Sequence, residues 1–285
     1  MENTFHLSQE TIQQYRSIQR LLEQLDPDAA PQALIVPGSP QPQGDIIVFP
    51  GSFNPPTIAH LALLEQAEQF AQAHLTATGD IHLYAAVSKR ITDKENVDRP
   101  LLLDRIVLIE RVVNKHLARA GVMLFNRGLY VEQAEAVRTA FPSVKRLFFL
   151  IGFDKIVQIL DARYYADRDA ALWELFRLAE LLVAQRGQDG PDALAALLSQ
   201  PENQPFRGYI HALPFDPAYR DISSTRIRQH SDTCARDEPP EVRQFMRATH
   251  AYDPPVRQAD GSLIDYYDAH VQAIQRLLGD ATGGK

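Results

Sequence analysis

Hydrophobic and polar positions change their period several times along the chain, and each change predicts an element. Ile12, Tyr15, Ile18, Leu22 and Leu25 recur at spacings of three and four, so residues 8–25 read as a helix with one apolar face. Pro27, Pro31, Pro37, Pro40 and Pro42, with Gly38 and Gly44, follow; this composition resists both helix and sheet, so 27–44 reads as a linker. From residue 45, short apolar runs alternate with helical periods. Asp45–Phe49, Ile81–Val87, Val122–Phe125 and Arg146–Ile151 read as strands, with helices over about 57–72, 101–117 and 130–140 between them. Leu181–Gln185 reads as a fifth strand and Tyr209–Ala212 as a further edge, and a helix opens near Ser224. Tyr267, Val271, Ile274 and Leu278 give a last amphipathic helix over Asp265–Leu278.

A strand–helix alternation of this kind predicts an α/β fold with a doubly wound parallel sheet in the order 3-2-1-4-5. Helical N- and C-terminal extensions flank it. The expected divisions are 1–44 (helix and Pro-rich linker), 45–254 (main domain) and 255–285 (C-terminal extension).

Composition narrows the function classes. The chain has 285 residues and a formal net charge of −7, which argues against a broad nucleic-acid footprint, although a local basic pocket is compatible with it. Cys234, the single cysteine, excludes an intramolecular disulfide and a thiolate cluster, and fits a reducing compartment. The start Met1-Glu2-Asn3-Thr4 has no leader pattern, and no run approaches the roughly 18 apolar residues of a membrane span. A cytoplasmic protein without membrane attachment is expected, its oligomeric state left open.

The chemistry is concentrated where the first strand ends. Asp45–Phe49 runs into Pro50-Gly51-Ser52-Phe53-Asn54-Pro55-Pro56-Thr57, and a helical pattern starts at once with His60 in its first turn. In a sheet of this class, ligands sit outside the carboxyl ends of the strands, where the chain can approach phosphates and a helix start offers unpaired N–H groups. Gly51 permits close approach, Thr57 suits a cap, and the His60 imidazole could donate to a phosphate oxygen. A proline-rich turn with a half-buried histidine would show many of the same residues. Far downstream, Asp221-Ile222-Ser223-Ser224-Thr225-Arg226-Ile227-Arg228 opens another helix, with serines for a cap and Arg226 and Arg228 for negative charge.

The string Gly51-Ser52-Phe53-Asn54-Pro55-Pro56-Thr57-Ile58-Ala59-His60 resembles the HIGH-type motif of the nucleotidyltransferase superfamily, in the form found in nicotinamide or nicotinate mononucleotide adenylyltransferases. Ile222–Arg228 is similar to the second signature of that family. The likeness spans about residues 45–254, ending with the helix and tyrosine at Val242–Tyr252. Two departures stand out: Thr57 where many bacterial members carry a first histidine, and Ala59 where they carry glycine.

The resemblance implies a Rossmann-like nucleotidyltransferase fold and transfer of AMP from ATP to the mononucleotide, giving NAD or its deamido form and pyrophosphate, with Mg²⁺ carried on ATP. It places His60, Arg226 and Arg228 in catalysis. ATP would meet Gly51, Ser52, Phe53, Thr57, His60, Lys94, Ser223, Ser224, Thr225 and Arg226. The mononucleotide would meet Ser52, Phe53, Asn54, Asn126, Gly152, Asp154, Tyr164 and Tyr165. No protein-held metal is expected.

Other roles compete at several positions. Asp154 also reads as a helix cap and Asn126–Tyr130 as a plain βα loop. Lys89, Arg90 and Lys94 stand in a loop where the resembled family often carries a lysine for the triphosphate, and read equally as a solvated basic loop; Arg105 matches an arginine of the family pattern, and reads equally as a surface helix position. Tyr164 or Tyr165 is preferred to Trp173 for stacking on the nicotinic ring, because Leu172, Leu175 and Phe176 point Trp173 toward packing. Another adenylyl- or cytidylyltransferase of the superfamily, or a nucleotide-binding module without turnover, is the alternative.

Overall fold

The computed structural model describes residues 8–74, 81–89, 99–184, 191–229 and 236–279. Its frame is a seven-stranded sheet: β1 (Ala33–Ile35), β2 (Gly44–Pro50), β3 (Ile81–Ser88), β4 (Ala120–Phe125), β5 (Val144–Gly152), β6 (Glu180–Ala184) and β7 (Ile210–Leu213). The spatial order is β1-β4-β3-β2-β5-β6-β7. Every pairing is parallel except β1 on β4. Without β1, the strands follow the predicted 3-2-1-4-5 order with a sixth added. The chain winds outward from β2 to β4 in one direction and from β5 to β7 in the other, so the topological switch lies between β2 and β5.

Strand side chains alternate between two cores, as the two-residue period requires. Ile47 and Phe49 of β2 face one layer, while Ile46 and Val48 face the other. The first layer holds α1 (Gln9–Gln24), α2 (Ile58–His74), α3 (Leu102–His116), α9 (Pro240–Thr249) and α10 (Tyr266–Gly279). The second holds α4 (Tyr130–Ala140), α5 (Phe153–Leu160), α6 (Arg168–Leu178) and α7 (Pro191–Ser199). A short α8 (Ser224–Gln229) lies beside the β2–α2 turn. Burial on both faces explains why β2, β3 and β5 are nearly continuous apolar runs. None of the described helices is long and apolar enough to cross a membrane.

Both flanks are built into the first core. Tyr15 and Ile18 of α1, and Tyr267 and Ile274 of α10, are buried in the same cluster as α2 and α3.

The expected linker departs from its reading. Ala33–Ile35 pairs antiparallel with β4, and the Val36 N–H continues the contact to the Val122 carbonyl at 2.9 Å. Ser39 Oγ accepts from the Val122 N–H, and a Cβ on Gly121 would lie 2.4 Å from the Ser39 Cβ, so glycine is required for this approach. The apolar run Ala33-Leu34-Ile35-Val36, bracketed by Pro31 and Pro37, was the signal for this strand. Proline is tolerated on an edge strand, whose outer N–H groups need no partner, and the short strand covers the edge of β4.

The C-terminal extension also differs from an all-helical reading. Val256–Arg257 (β8) and Leu263–Ile264 (β9) form a hairpin before α10. Its turn uses Gly261 at φ +86, a left-handed conformation that favours glycine.

Candidate active site

The β2–α2 turn sits at the switch point. β2 runs on through the Gly51 N–H, which donates to the Ala86 carbonyl at 3.0 Å. The chain then folds Phe53 back beneath itself: Phe53 has φ +45, and its ring is only 1% exposed. A Cβ on Gly51 would lie 3.0 Å from that ring, tighter than an ordinary contact, so a side chain here would press on the buried Phe53. The Phe53 ring meets Phe49 edge-on at 5.6 Å and His60 at 5.2 Å. Asn54 is 2% exposed, and the Asn54–Pro55 peptide is cis. Phe53, Asn54 and Thr57 therefore turn their side chains inward, and the accessible face of the turn is formed by Gly51, the exposed Ser52 and the half-buried His60.

Thr57 has a definite task. Its backbone N–H donates to His60 Nδ1 at 2.9 Å, its hydroxyl lies 3.0 Å from the same nitrogen, and it accepts from the His60 N–H at 3.3 Å. Because a backbone N–H can only donate, Nδ1 is the acceptor, which in a neutral ring leaves the proton on Nε2. The fully buried Thr57 side chain thus orients His60, and the position expected to hold a first histidine here serves the second.

The Ser223–Arg228 segment docks directly on this loop. Ser224 Oγ donates to the Pro55 carbonyl at 2.7 Å, and the Arg228 guanidinium donates to the Asn54 carbonyl. Ser223 Oγ caps α8 by accepting from the Arg226 N–H at 3.2 Å, and Arg228 also donates to Thr225 Oγ1. The two sequence motifs therefore meet in space. Arg226 and Thr225 are exposed beside the loop, while Ser224 and Arg228 are engaged in holding it.

Below the loop lies a cationic floor. Arg105 is 2% exposed, and its Nη1 reaches the Ser52 carbonyl at 3.4 Å, so the surface-helix alternative fails. Burial pulls its guanidinium below the usual arginine range. Burial also pushes the Tyr252 phenol up, against the opposing pull of Arg105 and Arg228. Tyr252 Oη, Arg105 Nε and Asn54 Oδ1 are buried without a hydrogen-bond partner among the described residues. Nothing in the local pattern around Arg105 distinguished it from a surface arginine, because α3 is covered by α1 and α9 as well as by the sheet, partners distant along the chain.

At the end of β5, Gly152 is the N-cap residue of α5 and makes no side-chain cap; Asp154 stands exposed in the first turn. The capping role for Asp154 is therefore absent. Tyr164 is 65% exposed, whereas the Tyr165 hydroxyl is tied to the Ile159 carbonyl at 2.8 Å. Trp173 packs on Phe206 at 5.0 Å and on Tyr209.

Two side chains singled out in the sequence have other partners. Asn126 is 1% exposed, and its amide is spent on the former linker: Nδ2 donates to Asp26 O at 2.7 Å and Ala30 O at 2.9 Å, and Oδ1 accepts from the Gln32 N–H at 2.8 Å. Both Nδ2 hydrogens and Oδ1 are thus engaged with the N-terminal segment. The reason is β1, which brings residues 26–32 across the end of β4. Lys89, one of the loop cations the resemblance offered to the triphosphate, donates to the Leu22 and Leu25 carbonyls at 2.8 and 2.7 Å, at the C-terminal end of α1. Arg90 and Lys94 lie outside the described residues.

Among the described residues no three His, Cys, Asp or Glu side chains gather as a metal cage. The site offers N–H groups, an imidazole donor and guanidinium charge, a set suited to phosphate oxygens.

Comparison with known proteins agrees with this chemistry. A cytidylyltransferase-like family model matches residues 48–230. A Schizosaccharomyces pombe protein named provisionally as a nicotinamide mononucleotide adenylyltransferase is 26% identical over 152 residues, which cover 51% of this chain and 55% of its own; the chain thus spans about half the length of that relative. A Bordetella pertussis protein named as a probable nicotinate-nucleotide adenylyltransferase is 28% identical over 209 residues, covering 71% of this chain and 94% of its own. Among solved structures, the Plasmodium falciparum nicotinic acid mononucleotide adenylyltransferase complexed with APC matches with a TM-score of 0.51 and 14% identity, over 74% of this chain and 98% of that one, a likeness of fold.

Proposed function

The chain belongs to the cytidylyltransferase-like family, and from that premise we propose that it is a nicotinate or nicotinamide mononucleotide adenylyltransferase. The observation that carries the reading is the docking of the Ser223–Arg228 helix on the Gly51–His60 turn through Ser224 and Arg228. The names of the relatives point to the same reaction.

In that reaction a phosphate oxygen of the mononucleotide attacks the α-phosphorus of ATP, the bond to the β-phosphate bridging oxygen breaks, and pyrophosphate leaves. No protein nucleophile is required, since the attacking phosphate is already anionic. Catalysis is then positioning plus stabilisation of charge on oxygens in line. His60, holding its proton on Nε2, donates to the oxygens of the transferring phosphoryl group. Gly51 and Ser52 give backbone approach to the triphosphate, and Arg226 supplies charge from the exposed face of α8. Ser224 and Arg228 hold the loop in place. The exposed carboxylate of Asp154, across the switch, faces the mononucleotide, with Gly152 beside it and the ring of Tyr164 or Tyr165 as the stacking surface. Lys94 belongs to the triphosphate side of the same proposal.

Mg²⁺ carried on the nucleotide would bind mainly through the phosphates and keep most of its water. Bound there, the ion would neutralise charge on the triphosphate and the departing pyrophosphate.

The test is incubation of the chain with ATP, Mg²⁺ and each mononucleotide in parallel, with pyrophosphate and dinucleotide measured together. Equal amounts of both products with one mononucleotide are expected. Nucleotide binding with no pyrophosphate from either would sink the proposal, and product only with CTP in place of ATP would redirect it.

A further inference from the structure

The segment Arg99–Arg105 joins the candidate active-site turn to the two terminal helices. On the side of the turn, the Arg99 carbonyl accepts from Asn54 Nδ2 at 3.5 Å, and Arg105 Nη1 donates to the Ser52 carbonyl at 3.4 Å. These are long contacts. On the far side the same segment is held tightly. Arg99 donates to the Ala251 carbonyl at 2.7 Å and the His250 carbonyl at 2.8 Å, pairs with Asp265, and lies 4.8 Å over the Tyr267 ring.

The start of α3 has no cap of its own: Leu101 occupies the N-cap position, and no side chain there bonds the helix. The cap comes from α10 instead. Tyr267 Oη accepts from the Leu101 N–H at 2.8 Å and donates onward to Asp104, in the first turn of α3. Asp104, 0% exposed, also accepts from Tyr15 of α1 at 2.5 Å and from His270 Nε2 at 2.9 Å. Two elements outside the family-matched 48–230, α1 and α10, thus fix where α3 begins, and with it where Arg105 meets Ser52.

We propose that residues 99–105 are a brace through which the terminal helices position the Gly51–His60 turn, and that Tyr267 and Asp265 are positioning residues for adenylyl transfer. For catalysis this rests on the adenylyltransferase reading above; for the stiffness of the turn it does not. A buried helix start without its cap shifts, and the long contacts at Ser52 and Asn54 are the first to open. Since about 1 Å of misplacement can cost up to about a hundredfold in rate, partial loosening should cost about tenfold.

The test uses the full chain and the variants Tyr267→Phe and Asp265→Asn; the second removes only a partly exposed ion pair and preserves folding if the first does not. Arg138→Met is the control, because Arg138 holds the Leu178 and Val144 carbonyls at the opposite, amino edge of the sheet. Amide hydrogen exchange is followed at Gly51–Asn54 and Thr57, and kcat and KM are measured well below the unfolding temperature. Both brace variants should exchange those amides at least about threefold faster and lose about tenfold in kcat with smaller changes in KM, while the control changes neither. Unchanged exchange at the turn overturns the brace, and so does faster exchange with wild-type kcat. If the wild-type chain releases no pyrophosphate, the functional reading fails by itself, and exchange alone decides the brace.

Discussion

Replacing Thr57 by valine removes one hydroxyl from a site with no exposed surface and keeps the side-chain shape. The hydroxyl lies 3.0 Å from His60 Nδ1, while the Thr57 N–H, 2.9 Å from the same nitrogen, is untouched. The imidazole therefore loses one of two orienting contacts. The His60 N–H loses its 3.3 Å contact to the hydroxyl but keeps the Thr57 carbonyl at 3.1 Å, so α2 stays capped. One neutral hydrogen bond is worth about 1 kcal/mol. Appearing at the barrier, that is about a fivefold loss in kcat, with KM little changed. His60→Ala removes the donor itself, and the expected loss is about 10²–10³-fold. The assay is pyrophosphate release by both single variants and the double variant. If Thr57 acts only through His60, valine costs nothing further once His60 is alanine. A fivefold loss that persists in the His60→Ala background, or wild-type turnover in Thr57→Val, would refute the orienting role.

Two further outcomes are expected. Asn126→Ala strands the Asp26 and Ala30 carbonyls and the Gln32 N–H, so urea unfolding should show a loss of about 2–4 kcal/mol while kcat stays within about twofold; a large rise in KM for the mononucleotide at intact stability would restore Asn126 to the site. The hydrogen bond from Arg99 holds the Asp265 carboxyl below the usual carboxylate range. A group lowered in the folded state stabilises above its unfolded pKa, and that contribution fades as pH falls through the folded value. The stability gap between wild type and Asp265→Asn should therefore be full near pH 7 and shrink below about pH 4; a gap of constant size down to about pH 2.5 would contradict it.

Local order along the chain carried much of this protein. Two-residue and 3.6-residue periods give the strands and helices, and their alternation gives a doubly wound sheet, because each parallel strand must be covered on both faces. The Gly51–His60 turn and the Ser223–Arg228 helix were legible as phosphate-compatible pieces, since glycine, a capping hydroxyl and basic residues stand at adjacent positions. The edge strand Ala33–Ile35 was legible only in retrospect, its apolar run outweighed by the prolines around it.

Tertiary structure decided which polar groups are still available to a ligand. Asn126 and Lys89 carry side chains suited to binding, yet both are consumed by the N-terminal segment laid across them. Arg105 has the sequence context of a surface arginine, yet α1 and α9 close over α3 and leave it beneath Ser52. Thr57 became the support of His60, and Asp104 the meeting point of Tyr15, Tyr267 and His270. The physical reason is one of range. Apolar periodicity is a property of neighbours along the chain, whereas a hydrogen-bonding side chain takes its role from whichever partner folding brings within about 3 Å, often a hundred or more residues away.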